Sequence, residues 1–288
     1  MEVLEEQVWR ERARAHAQRV DALVADHLAR KRDGAPHPVH DFLFSYYSYR
    51  PSQLRRWHPG YGVGLENAHE YADRRGYEIV DDVARVSPTM LAERHDLIAG
   101  THALLAATAS RPANTGCFGM HEWAMVYRSE GTRHPHPLRL GAEGTDKVVE
   151  SHRITCSHFD AYRFFTPAAR DRNTLRPRSE DRPAFEQPGC LHAGMDLYKH
   201  AFRLAPLIGS ELIADCFALA RDIRVLDMRA APYDLADLGF QPVRVETAEG
   251  KRTYAAAQAG FAERGAPLRA RLIEACEMLL ACNEVVAR

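Results

Sequence analysis

Apolar residues recur at helical spacing over most of the chain. In residues 2–32, Val8, Arg12 and Ala15 alternate with Ala22, Val24 and Leu28, which predicts one amphipathic helix ended by Gly34, Pro36 and Pro38. A strand or helix begins at Asp41 and a short helix at Pro51. Residues 66–76 read as helical and 77–80 as a short strand. Ser87 and Pro88 have the N-cap and first-turn pattern of a long helix reaching Ala109, with Leu91, Leu97, Ile98, Leu104 and Leu105 as its buried stripe. A turn follows over 111–116, and a loop over 133–145 carries His134 and His136 as surface histidines.

The second half is less regular. Residues 148–165 read as a strand running into a loop. The polar, Arg- and Pro-rich stretch 173–188 reads as a mobile lid or a surface excursion. Residues 195–228 are helical with a break near Pro206. A short strand is expected over 242–246 and a turn at Glu249 and Gly250. A closing helix pair over 251–286 breaks near Gly265 and Pro267. The fold class that follows is α+β, mostly helical, a single compact unit with a few short strands. The whole of 1–288 is one domain, with a helix over 1–33 packing on the body and a lid or surface loop over 171–188.

Composition narrows the function classes. The chain has 288 residues, 45% hydrophobic and 27% charged, and no Gly or Pro excess, which excludes disordered and collagen-like classes. Its net charge of -1 does not suit a protein that coats DNA, so any nucleic-acid contact must come from a local patch. Mean hydropathy is -0.40 and no stretch is apolar enough to span a membrane. The first residues mix Glu and Arg without an apolar run, so no signal peptide is expected. Six widely spaced cysteines read as reduced thiols in a cytoplasmic compartment.

Two features carry chemistry. The stretch HPVHDFLFSYYSYRPSQLRRWHPGYGVG over 37–64 interleaves Tyr46, Tyr47 and Trp57 with Arg50, Arg55 and Arg56. Arginine beside aromatic rings suits phosphate plus a flat ring system, and equally suits an aromatic core with a basic rim. Three further segments each place a thiol, an imidazole and a carboxylate together. They are Cys117–His121–Glu122, Cys156–His158–Asp160 and Cys190–His192–Asp196. As a strand, residues 151–162 put His152, Cys156, His158 and Asp160 on one face. His192 and Asp196, four apart, share a helical face. His121 and Glu122 are adjacent, so only one of them is expected to face a cleft.

These residues support two chemistries. In one, a carboxylate (Asp160, Glu122 or Asp196) activates water while arginines such as Arg163 hold the substrate. In the other, His121, His158 and His192 converge on zinc or iron with a carboxylate as fourth ligand or base. The residues alone favour the metal-dependent enzyme, acting on a small nucleotide-like or anionic substrate.

The segments HPVHDFLFSYYSYRPSQLRRWHPG, CFGMHEW, SHRITCSHFDAYRFFTPAARDRN, QPGCLHAGMDLYKHAFRL and LDMRAAPYDL resemble an actinobacterial family commonly labelled 3-methyladenine DNA glycosylase, over nearly the whole chain. The resemblance implies a hydrolase of DNA repair that needs no cofactor and releases an alkylated purine base from DNA. Under it Tyr46, Tyr47, Trp57 or Trp123 would stack the flipped base. Asp160 or Glu122 would direct water at the sugar carbon, and Arg50, Arg55, Arg56 and Arg163 would hold phosphates. Both expectations need the stretches near 120, 158 and 192 to meet around one cavity.

Overall fold

Four short strands form one sheet in the order β1-β2-β4-β3. They are β1 (Glu2–Leu4), β2 (Val63–Glu66), β3 (Tyr77–Val80) and β4 (Val83–Val86). β1 pairs parallel to β2, and the other pairings are antiparallel. The β3–β4 hairpin turns on Asp81 and Asp82, at φ 50° and 60°. Two successive positive-φ residues make the type I′ turn whose twist matches the strands, with aspartates in place of the usual Asn-Gly.

A computed structural model provides the coordinates and describes residues 1–132 and 134–286. Its helices are α1 (Glu6–Arg32), α2 (Phe42–Tyr46), α3 (Pro51–Leu54), α4 (Pro88–Glu93), α5 (His95–Ala109), α6 (Met120–Ala124), α7 (Gly141–Glu150), α8 (Phe159–Tyr162), α9 (Pro167–Arg170), α10 (Arg182–Phe185), α11 (Leu191–Arg203), α12 (Ser210–Ala230) and α13 (Ala248–Val286). The class is α+β and mostly helical, as expected. The backbone groups into two units: Met1–Leu105, Leu197–Ala218 and Pro267–Arg288 form the first, Ala106–Asp196 and Leu219–Ala266 the second. The unit boundaries fall within α5, α11, α12 and α13.

The first unit holds the sheet and α1. The expected helix over 2–32 begins only at Glu6, because residues 2–4 find a partner strand in β2 and pairing outweighs their helix propensity. The buried stripe of α1 is Trp9, His16, Val20 and Val24, whereas Val8 and Leu28 are exposed. Two long-range bonds fix this face: Trp9 Nε1–H donates to the Glu66 carbonyl at 2.8 Å, and His16 Nε2 lies 2.9 Å from the Leu54 carbonyl. Residues 66–76 carry one 3-10 turn (His69–Tyr71) instead of a full helix. The expected helix to Ala109 is two helices, α4 and α5, interrupted at Arg94. Ser87 caps α4 as foreseen, its hydroxyl accepting the Met90 N–H at 3.2 Å.

The second unit packs Trp123, Tyr127, Val149, Ile154, Met195, Ile223, Tyr233 and Tyr254 as its core. α11 and α12 approach closely where Gly194 faces Ile223, since a Cβ at Gly194 would lie 2.8 Å from that side chain. Three sequence expectations give way here. Residues 148–165 are not a strand: α7 ends at Glu150, the chain runs extended to His158, and α8 begins at Phe159. Among the described residues the extended piece has no strand beside it beyond a bridge between Ile154 and Asn173. Instead the Asn173 carboxamide accepts the Cys156 N–H at 2.8 Å and donates to the Cys156 carbonyl at 2.9 Å, doing the work of a neighbouring strand. Residues 242–246 alternate buried and exposed without a ladder partner. The helix pair over 251–286 is one helix, α13, which starts at Ala248 and continues through Pro267.

The stretch over 171–188 is anchored rather than free. Asn173 near one end and Glu186 and Gln187 near the other are buried. In the loop that begins at Arg133, a residue outside those described, the His134 ring packs edge-on against Tyr233 at 5.0 Å.

Candidate metal centre

Five pieces of the second unit converge. α6 follows Phe118 and Gly119, both in the left-handed region at φ 47° and 68°. That turn lets all five of its residues face the interior, His121 and Glu122 included. The extended run to His158 supplies that imidazole at the N-cap of α8. Glu186 follows the last residue of α10, α11 carries His192 and Asp196 one turn apart, and α12 brings Arg224 and Asp227.

The three histidines expected to meet do meet. The His192 ring lies 4.5 Å from that of His121, edge to face, and 5.2 Å from that of His158. The atoms close enough to share an ion belong to a different set. The atoms of His121, His192 and Asp227 that could ligate an ion all lie within 4.8 Å of one another, and His158 stands outside this group. Asp227 was not foreseen. Its signal was faint: an acid three residues after Arg224, in a stretch that already carries Arg221 and Asp222.

The site is electrostatically built. His121 Nε2–H donates to Asp227 Oδ1 at 2.8 Å. Arg224 Nη1 donates to Asp227 Oδ2 at 2.7 Å and lies 3.5 Å from Glu122 Oε1. His121 and Glu122 therefore both join one network, contrary to the expectation that adjacency would separate them; it is Arg224 that reaches round to Glu122. Burial works against the Asp227 carboxylate, but His121 and Arg224 outweigh it and hold its pKa well below the usual range. Burial also lowers the His121 pKa, and the Asp227 charge more than reverses this. For His192, burial and the flanking His121 and His158 rings drive the pKa well down. His192 is thus a neutral imidazole, and its ring has no hydrogen-bond partner among the described residues.

A second cluster adjoins the first. His158 Nε2 is 3.5 Å from Glu186 Oε1 and 3.4 Å from Asp196 Oδ2, within ion-pair distance but outside hydrogen-bond geometry. Arg182, which the sequence did not single out, ties the same two carboxylates together at 2.5 and 2.8 Å. Asp160 pairs with Arg163 at 3.4 Å and is one of the acids that raise the pKa of Arg182. It sits on helix α8, not on a strand face with His158.

His121 and His192 also line a cavity of about 20 Å³, together with Cys117, Cys156, Cys190 and Tyr254. Burial pushes the Cys156 thiol up to about 12 and raises Cys117 and Cys190 as well, so all three are protonated at neutral pH.

The aromatic and basic residues read as substrate-binding divide between the units. Tyr46, Tyr47, Arg50, Arg55, Arg56 and Trp57 belong to the first unit. Tyr46 packs against Phe42 and Tyr47, and Tyr47 packs edge-on against Tyr198. Trp57 is buried, its Nε1–H bound to Glu211 Oε1 at 2.7 Å. Arg55 pairs with Asp21 at the surface, and Arg50 and Arg56 are exposed. Trp123, in the second unit, is fully buried with its Nε1–H on the Ala230 carbonyl. Neither indole presents a ring face to a flipped base. Arg163 is half exposed and lies over the Phe164 ring.

Comparison with known proteins finds no matching family model, no matching curated protein and no matching solved structure. Among the described residues no helix is long and apolar enough to cross a membrane.

Proposed function

We propose that the protein is a metal-dependent enzyme whose ion, zinc or iron, is held by His121, His192 and Asp227. The observation that carries this reading is the half-buried His192 imidazole, without a hydrogen-bond partner among the described residues and held neutral by its surroundings, within ligating reach of a second imidazole and an ionised carboxylate. A neutral imidazole with no hydrogen bond on its ring has a nitrogen lone pair free for an ion. Two imidazoles and one carboxylate leave coordination positions open, the arrangement of catalytic rather than structural ions. Arg224 holds the outer Asp227 oxygen and leaves Oδ1 on the His121 side. This is the outer-shell support that orients a ligating carboxylate. His158, with Glu186 and Asp196, stands one ring beyond His192 and suits acid–base work.

The glycosylase reading asks for a carboxylate free to direct water and a ring free to receive a base. Asp160, Asp196 and Glu122 each face an arginine, and Trp57 and Trp123 are buried. The site therefore favours the metal-dependent reading over DNA repair. Elemental analysis of the purified protein tests it. Zinc or iron is expected in stoichiometric amount, and lost in His192→Ala with the far-ultraviolet circular dichroism unchanged. Folded protein that takes up neither metal, even after incubation with each, overturns the assignment.

A further inference from the structure

The cavity beside the histidines has a size and a lining that the metal reading does not use. At about 20 Å³ it holds one water or a diatomic molecule, far below the hundreds of Å³ that an organic substrate fills. Its wall is mixed: Met120, Ile154, Leu191 and the thiols of Cys117, Cys156 and Cys190 stand beside the hydroxyl residues Thr155 and Ser157. The carboxamides that reach it are already committed. Gln187 Oε1 accepts the Asn114 N–H at 2.8 Å, its Nε2 donates to the Asn114 carbonyl at 3.2 Å, and Asn114 Oδ1 accepts the Gly116 N–H at 2.9 Å. Of the three hydroxyl residues at the cavity, Tyr254 is the fully buried one. The Tyr254 hydroxyl is buried, lines the cavity and makes no well-formed hydrogen bond; the Cys117 thiol is its near neighbour.

We propose that this cavity is the binding site for a neutral diatomic co-substrate of the dioxygen type, which occupies an open position of a ferrous ion at His121, His192 and Asp227 and accepts a hydrogen bond from Tyr254. The inference rests on the metal reading above and deepens it. Two imidazoles and a carboxylate with open positions are a ligand set suited to ferrous iron and oxygen chemistry. Apart from His121 and His192 themselves, the wall carries no basic side chain. A neutral diatomic loses little hydration on entering such a wall. A buried phenol O–H whose neighbour is the weakly accepting Cys117 thiol gains a better acceptor in the bound molecule.

Nitric oxide is the probe, because it is a neutral diatomic whose binding to ferrous iron gives a high-spin electron paramagnetic resonance signal. The protein is loaded with iron(II) without oxygen and its iron content is measured first. Nitric oxide is then expected to give that signal, and Tyr254→Phe to weaken its binding roughly tenfold at unchanged iron content, the worth of one hydrogen bond. Cys117→Ile, which fills the cavity with apolar bulk, is expected to abolish the signal while iron stays bound. Azide is the anionic control. Iron-loaded protein that answers to azide but not to nitric oxide, or to neither, overturns the inference and leaves the metal site standing. Nitric oxide binding unchanged in both variants also overturns it. Protein that takes up no iron removes both.

Discussion

At the scale of the residue, the buried charges around Asp227 govern both stability and site geometry. Asp227 and Arg224 are 1% and 2% exposed, and Glu122 is 6% exposed. A buried ion pair adds little net stability, but breaking it leaves a charge without its counter-charge. Asp227→Asn therefore costs about 3–5 kcal/mol by urea unfolding of metal-free protein. Combining it with Arg224→Met restores part of the loss, because the orphaned guanidinium is then removed. Single and double variants that simply add would mean that the two side chains do not interact. The residues that make this network were unequally legible. His121, His158 and His192 stood out because scarce residue types recur in three similar segments. Asp227, Arg224, Arg182 and Glu186 did not, since a single acid or base in a helix reads as a solvated face until its neighbours are known. Tyr254 was invisible for a further reason: a buried hydroxyl with only a thiol beside it is a property of packing and has no pattern in sequence.

At the scale of the element, periodicity named most helices but misjudged what a period of two means. The alternation over 151–158 is real, with Ile154, Cys156 and His158 buried and Arg153 exposed. It marks an extended chain, and the Asn173 side chain satisfies that backbone where a strand was expected. Helix ends were misread where proline and glycine serve packing rather than termination. Pro267 stands inside α13, and Gly250, expected in a turn, lies in its first turn. Gly250 is there because the chain passes too close for any side chain: a Cβ would sit 1.9 Å from the Arg244 carbonyl oxygen. Backbone cannot yield as a flexible side chain can. Gly250→Ala is thus expected to destabilise by more than about 2 kcal/mol, against the roughly 1 kcal/mol gain that the same exchange gives in an unobstructed helix. A thermal melt decides the sign. Unchanged or raised stability would mean that the approach relaxes freely.

At the scale of the whole molecule, acids and bases nearly cancel, so the acid response of this protein is set by individual buried histidines more than by general repulsion. His58, in the first unit, is the clearest. Its Nδ1 lies 3.0 Å from the Tyr77 hydroxyl in a buried pocket. Burial, aided by Arg74 and Arg56, drives its pKa from 6.5 to about 3. The unfolded chain takes up a proton near pH 6.5 that the native state refuses until about pH 3. The contribution of His58 is therefore intact above pH 6.5 and is lost as pH falls through that window, at about 1.4 kcal/mol per pH unit. His16 and His192 shift the same way, so they add to the loss. His121 opposes it, because its pKa is raised and its contribution fades as pH rises. A difference measurement separates His58 from the rest. Wild type and His58→Gln are unfolded by urea at pH 7.5 and pH 5. Relative to the variant, wild type is expected to lose about 2 kcal/mol between the two. A constant gap between the two proteins would mean that His58 already carries its proton in the native state, and the pocket around Tyr77 would then have to hold a charge.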